Sequence, residues 1–228
     1  TDWLSKFGGS AWAPFGDTGK YYLHLYDVTQ ADLNWRNPNV RQELFKVVNF
    51  WRDKGVKGFR FDVINVIGKD EVLTDCPEQD GKPAYTDKPI VHDYLRMMNE
   101  ATFGQDDSFM TVGEMSATTI ENCILYTAPD RQELSMAFNF HHLKVDYEAG
   151  QKWTLKAFDF EELKRLFHTW GKEMSDHDGW SALFLNNHDQ PRALNRFVDV
   201  ENFHNEGATM LAASIHLSRG TPYIYMGE

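Results

Sequence analysis

Five short apolar runs recur along the chain, each after a stretch with helical spacing: Gly58–Asp62, Phe109–Glu114, Leu134–Phe140, Ala182–Leu185 and Thr221–Met226. A strand that follows a helix, five times over, predicts an α/β fold with a parallel sheet. The helical stretches carry their own punctuation. Asn37 can cap a helix whose first position is Pro38, with Val40, Leu44, Val47, Val48 and Trp51 as its apolar stripe and Gly55 as its stop. Val91, Leu95 and Met98 mark a second helix, and Thr119 to Tyr126 a short third. Asp159 and Glu162 have the spacing of a capping box for a helix bearing Leu163, Phe167 and Trp170. A last helix runs through Met210 to Leu217. The opening, Thr1 to Thr29, is rich in Gly, Trp and Tyr without a clean period, and reads as irregular structure around a short strand.

The run Gly58-Phe-Arg-Phe-Asp62 reads as a buried parallel strand with a carboxylate at its carboxyl end. In barrel and doubly wound folds, chemistry sits at that end. Arg60, two residues earlier, leaves the strand on the same face and can hold Asp62 ionised. A purely structural Arg–Asp pair satisfies the same pattern. Two further strands end in acids, Glu114 and Asp189. Three acids at equivalent ends of parallel strands suit glycoside cleavage, where one carboxylate attacks, a protonated one donates to the leaving oxygen, and a third stabilises positive charge on the ring. A divalent-cation site with His188 is the competing reading. His141 and His142 are adjacent, so on a strand they face opposite sides and make a poor joint ligand pair.

The totals narrow the class. The chain has 228 residues and a formal charge of -11, which argues against a nucleic-acid partner. No apolar run is long enough to span a membrane. Cys76 and Cys123, the two cysteines, lie far apart and outside metal-ligand spacing, which suits a reduced, cytoplasmic setting. Seven Trp and 14% aromatic residues fit either a sugar site or a large core.

These motifs resemble the α-amylase superfamily of glycoside hydrolases, which are TIM barrels. Gly58-Phe-Arg-Phe-Asp62 is similar to its fourth-strand motif, Val112-Gly-Glu114 to its fifth and Asn187-His-Asp189 to its seventh. Gln30-Ala-Asp-Leu-Asn34 resembles the motif near the end of the family's inserted small domain. Val63, directly after Asp62, and Arg192 resemble the branch that cleaves α-1,6 or α,α-1,1 linkages. Leu134 to Tyr147 with Lys152-Trp-Thr-Leu155 is similar to the trehalose-6-phosphate hydrolases, more than to the oligo-1,6-glucosidases. The family's third-strand motif, an Asp followed by Asn-His, is absent.

The resemblance implies a partial TIM (β/α)8 barrel, roughly strands 4 to 8, over residues 31–228, with the end of the small domain over 1–30. It implies that the strands before these lie elsewhere in a longer enzyme. Asp62 is the implied nucleophile, Glu114 the general acid/base with a raised pKa, and Asp189 the stabiliser of the transition state. Arg60, His188 and Arg192 are implied sugar contacts. The implied reaction is retaining hydrolysis of an α-glucoside without a cofactor or metal, on a small-molecule sugar or sugar phosphate such as trehalose 6-phosphate. Oligo-1,6-glucosidase or dextran glucosidase activity, a sucrose-isomerase type of transfer and a non-catalytic member of the fold are the alternatives. A phosphorylated sugar needs local cations against the global charge. Lys144 and Lys152, in the loop after the third of the five runs, are the expected phosphate contacts, and a solvated loop surface is the plainer account of them.

Overall fold

The structure, a computed structural model, describes residues 1–151, 153–154 and 156–228. Lys152 and Leu155 lie outside the described residues. The chain divides into two compact units, Thr1–Met110 and Thr111–Glu228.

The first unit opens on an antiparallel pair, β1 (Trp12–Pro14) and β2 (Tyr21–Leu23), with Trp12 opposite Leu23. Its small core gathers Trp3, Ala11, Leu25, Val66 and Tyr85. Helix α1 (Pro38–Asp53) starts as its sequence predicts: the Asn37 side chain accepts from the Asn39 amide, and Pro38 occupies the first turn. It stops at Gly55, whose φ of +92° suits glycine. Helix α2 (Ile90–Ala101) buries Val91, Leu95 and Met98. The Asn49 side chain of α1 donates to the Ala101 carbonyl at 3.2 Å, which ties the helices together at that end.

The stripe of α1 is covered only in part. Val48 is buried, while Val47 and Trp51, with Phe50 beside them, are about half exposed. The following strand, β3 (Gly58–Phe61), is likewise half-buried rather than enclosed. Phe59 stacks on Phe109 at 5.4 Å and Phe61 lies 6.0 Å from Phe103 on its covered side, whereas Arg60 is exposed. Gly58 is required by close approach: a Cβ there would stand 2.8 Å from the Met110 carbonyl oxygen.

The second unit is a parallel sheet with helices. Strand β4 (Met110–Glu114) pairs with β5 (Met136–Phe138), Val112 opposite Met136. A parallel bridge from Ala137 to Ser181 leads to β6 (Ala182–Leu183), which pairs with β7 (Thr221–Pro222). Helices α3 (Ile120–Thr127), α4 (Phe160–Asp176), α5 (Ala193–Phe197) and α6 (Val200–His216) fill the connections. A core of Val145, Leu185, Ala193, Phe197, Leu211 and Ile215 joins the loops after β5 and β6 to α5 and α6.

The capping box of α4 is only half made. Asp159 accepts from the Glu162 amide at 2.9 Å, but the Glu162 carboxylate turns to Arg165, a helix neighbour, at 2.6 Å. The Asp159 amide donates to the Val145 carbonyl instead, so the helix start is pinned to the loop after β5.

Candidate active site

Each acid is placed by the local structure around it. Asp62 follows the last residue of β3, and the Arg60 guanidinium lies 2.9 Å from its carboxylate, as residues two apart on one strand face should. The pair is solvated rather than dry: the Asp62 side chain is 73% exposed. It orients the carboxylate and contributes little to stability.

Val63 comes next and carries a left-handed backbone, φ +40° and ψ +43°. For a β-branched residue this costs about 1–3 kcal/mol, and it persists only when the surroundings over-determine it. Here they do. The Val66 amide closes onto the Val63 carbonyl at 3.2 Å, and Asn65 is held by Asp87 through side chain and backbone at 2.9 and 3.0 Å. Val63 itself packs on the Trp3–Leu25–Tyr85 core. The sharp turn directs the chain away immediately after Asp62 and leaves the carboxylate exposed.

Tyr26 was not legible as part of this neighbourhood. Burial holds its phenol well above the usual range, and the nearby Asp62 carboxylate raises it further. Its hydroxyl is buried without a partner among the described residues. The Lys6 ammonium stands 5.7 Å from the ring centroids of both Tyr26 and Tyr85, and burial followed by Lys82 brings it down to about 8. The stretch Gln30 to Asn34 also acquires a physical role. Asp32 accepts from the Leu25 amide at 2.9 Å and from Lys69, a largely buried ammonium that desolvation lowers and Asp32 supports. Asp32 thereby fixes the segment that presents Tyr26.

In the second unit, Glu114 ends β4 in register with Phe138, and the Met115 amide donates to the Phe138 carbonyl at 3.1 Å. Asp189 lies in the loop after β6, where the Asn187 side chain accepts its amide at 2.8 Å. His188 Nε2 is 3.2 Å from the Asp189 carboxylate, both side chains being more than half exposed. Glu114 ends β4 and the Asp189 loop follows β6; β5 lies between them, paired with β4 in a parallel ladder and joined to Ser181, ahead of β6, by a single parallel bridge. Arg192 donates to the Met226 carbonyl at 2.6 Å and lies over Tyr225 at 4.8 Å, so it holds the segment after β7. A cavity of about 430 Å³ in this unit is lined by His142, Trp170, Lys172, Asp176, Ser181 and Arg219 and by none of Asp62, Glu114 and Asp189.

The histidine pair departs from expectation. Strand β5 stops at Phe138, because the Asn139 side chain accepts the His141 amide at 3.3 Å and turns the chain into a 3₁₀ segment, His141–Lys144. His142 is buried and donates through Nε2 to the Phe184 carbonyl at 2.6 Å, while His141 packs on Trp170 at 4.9 Å. Lys144, at the end of this turn, is exposed. Lys152, its expected companion, lies outside the described residues. Among the described residues no group of three or more His, Cys, Asp or Glu is placed to hold a metal ion.

Burial brings the His142 imidazole down to about 4. In the unfolded chain it titrates near 6.5, so between those values the unfolded state binds the extra proton. This contribution to stability is intact above pH 6.5 and falls as pH drops toward 4, by about 2 kcal/mol at pH 5. Urea unfolding of the intact enzyme at pH 7.5 and pH 5 should show this loss in the wild type and a smaller one in His142→Gln. An unchanged pH dependence in the variant would contradict the assignment.

The alpha-amylase catalytic-domain model matches residues 1–228. Trehalose-6-phosphate hydrolase of Bacillus subtilis is 54% identical over 228 residues, covering 100% of this chain and 40% of that protein. Oligo-1,6-glucosidase of Parageobacillus thermoglucosidasius is 46% identical over 233 residues, covering 100% and 41%. The crystal structure of Bacillus licheniformis trehalose-6-phosphate hydrolase superposes with a TM-score of 0.95 at 54% identity, over 99% of this chain and 40% of that one. The chain thus spans about 40% of the length of these relatives.

Proposed function

The chain belongs to the α-amylase catalytic-domain family, and from that premise we propose that it carries the catalytic acids of a retaining α-glucosidase that hydrolyses trehalose 6-phosphate to glucose and glucose 6-phosphate. The observation that carries the substrate is the 54% identity to a trehalose-6-phosphate hydrolase, sustained over the whole chain. The oligo-1,6-glucosidases, at 46%, support isomaltose cleavage as the second reading. On this reading β3 to β7 are strands four to eight of the barrel, residues 1–30 close the inserted small domain, and residues 31–228 belong to the barrel. A cytoplasmic setting is part of the same proposal, and the free thiols of Cys76 and Cys123 are compatible with it.

Asp62 attacks the anomeric carbon, and the glycosidic bond to the leaving sugar breaks as the glucosyl–enzyme ester forms. Glu114 gives its proton to the departing oxygen, then takes one from the water that opens the ester. In retaining glycosidases generally, the two carboxyl groups lie about 5–5.5 Å apart. Asp189 stabilises the positive charge that builds on the ring, with His188 beside it. Arg60 keeps Asp62 aimed through the contact at 2.9 Å. Arg192 serves the sugar through the segment it holds after β7. The reaction consumes only water, so the proposal includes no cofactor, no metal, no nucleic-acid partner and no membrane.

Lys144 and Lys152 are the proposed phosphate contacts. A charge-assisted hydrogen bond to a phosphate is worth about 1.5–3 kcal/mol, and about 1.4 kcal/mol is a decade in affinity. Lys152→Ala in the intact enzyme should therefore weaken trehalose 6-phosphate tenfold or more and leave unphosphorylated trehalose nearly unaffected. Equal losses on the two sugars, or none on either, would place phosphate recognition elsewhere. The wider reading is tested by turnover of trehalose 6-phosphate against isomaltose, which should favour the phosphorylated sugar. Preference for isomaltose would establish the second reading instead.

A further inference from the structure

The loop after β5 is tied to the chain that follows Asp189 by a buried ion pair. Arg196, on α5, donates through Nε to the Asp146 carboxylate at 2.8 Å and through Nη2 to the other Asp146 oxygen and to the Leu143 carbonyl. Only 6% of the Arg196 side chain and 9% of the Asp146 side chain are exposed. The guanidinium also lies 4.8 Å from the Phe197 ring centroid and 5.9 Å from that of Tyr147. Next to it, the Tyr147 hydroxyl donates to the Gln190 side chain at 3.2 Å, and Gln190 is the residue after Asp189. Farther along the loop, the Thr154 hydroxyl donates to the Asp146 carbonyl at 2.9 Å. Val145, between the two polar residues, enters the core with Ala193 and Phe197.

This is more than a surface loop requires. A bidentate Arg–carboxylate pair fixes both distance and direction, and burial makes it intolerant of a lone partner. Its two ends lie fifty residues apart, one two positions beyond Lys144 and the other on the helix that follows the Asp189 loop. Lys144 sits immediately between Leu143, whose carbonyl Arg196 binds, and Val145 in the core.

We propose that the Arg196–Asp146 pair is a positioning device that sets Lys144 against the Asp189 loop, and thereby selects a leaving sugar that carries an anionic group. The proposal rests on the reading of Lys144 as a phosphate contact. Arg196 touches no substrate; it acts through the loop it clamps. A displaced Lys144 loses the phosphate, while Asp62 and Glu114, at the ends of β3 and β4, and Asp189, in the loop after β6, keep their chemistry.

The test is kinetic, on the intact enzyme, with trehalose 6-phosphate and a neutral aryl α-glucoside. Arg196→Met should raise KM for the phosphorylated sugar at least tenfold with kcat within about twofold, and should leave kcat/KM on the neutral glucoside within about twofold. Arg196→Lys, which keeps the charge but not the fork, should fall between. Combined with Lys144→Ala, Arg196→Met should add less than its own single effect. Tyr147→Phe removes one hydroxyl and serves if Arg196→Met does not fold; it should raise KM for the phosphorylated sugar in the same direction by a smaller factor. Equal losses on both substrates, a fall confined to kcat, or full additivity with Lys144→Ala would overturn the proposal. If wild-type enzyme does not turn over trehalose 6-phosphate, the functional reading fails first, and that outcome is visible before any variant is made. If Lys144→Ala alone is silent while Arg196→Met is selective, the phosphate contact is misassigned and the clamp acts through another loop residue, which also overturns the proposal as stated.

Discussion

Asp62→Asn is expected to lower turnover by about four orders of magnitude or more, with the fold intact. The magnitude follows from removing a covalent nucleophile, whose loss leaves only the catalysis supplied by binding and charge stabilisation. The fold should be spared because the Asp62 carboxylate is largely exposed and bonds to Arg60 in solvent. An amide there keeps the volume and loses only a pair worth little to stability. Matching unfolding curves with collapsed kcat would meet the expectation. A correctly folded variant with near-normal turnover would remove Asp62 from the mechanism.

Glu114→Gln is expected to have the second-largest effect, and one that depends on the leaving group. General acid catalysis contributes about 10²–10⁴ in rate, so a disaccharide, whose leaving alcohol needs a proton, should lose about 10³. A nitrophenyl glucoside leaves without that help. Its first step should survive in the variant and show as a burst of nitrophenolate, followed by slow turnover because no base activates the water. Azide, which needs no base, should speed the slow phase. A uniform loss on both substrates, with no burst, would mean that Glu114 holds the strand end and not the proton.

Much of the fold was legible in the sequence because the strands are announced locally. Four- to seven-residue apolar runs after capped helices mark the strands, and an acid at the end of such a run needs no distant partner to be noticed. The cap at Asn37 and the buried stripe Val91, Leu95 and Met98 form as spacing implies. Two of the departures share one cause, which is competition from a neighbour that periodicity does not weigh. Glu162 finds Arg165 three residues on and abandons the capping box. Asn139 captures the His141 amide and converts an expected strand end into a 3₁₀ turn. Val47 and Trp51 of the α1 stripe stay about half exposed, since periodicity marks an apolar face but not what covers it.

The features that were not legible are tertiary. Tyr26 comes near Asp62 only through the turn after Val63 and the Asp32–Lys69 contact. The pairing of Asp146 with Arg196 spans fifty residues and leaves no local pattern, since an Asp in a loop and an Arg in a short helix are individually unremarked. The strands therefore read from local pattern, while contacts such as Asp146 with Arg196 appear only in the folded chain.

On the proposed mechanism, Asp62 forms the glucosyl–enzyme ester. A fluorinated α-glucosyl substrate analogue that forms this ester quickly and hydrolyses it slowly would trap it in the intact enzyme. Peptide mass spectrometry should then find the sugar on the Asp62 side chain, at the end of Gly58-Phe-Arg-Phe-Asp62, and nowhere in Glu114→Gln enzyme beyond that residue. A sugar found on Glu114, on Asp189 or on no residue at all, in enzyme that still turns over, would contradict the account.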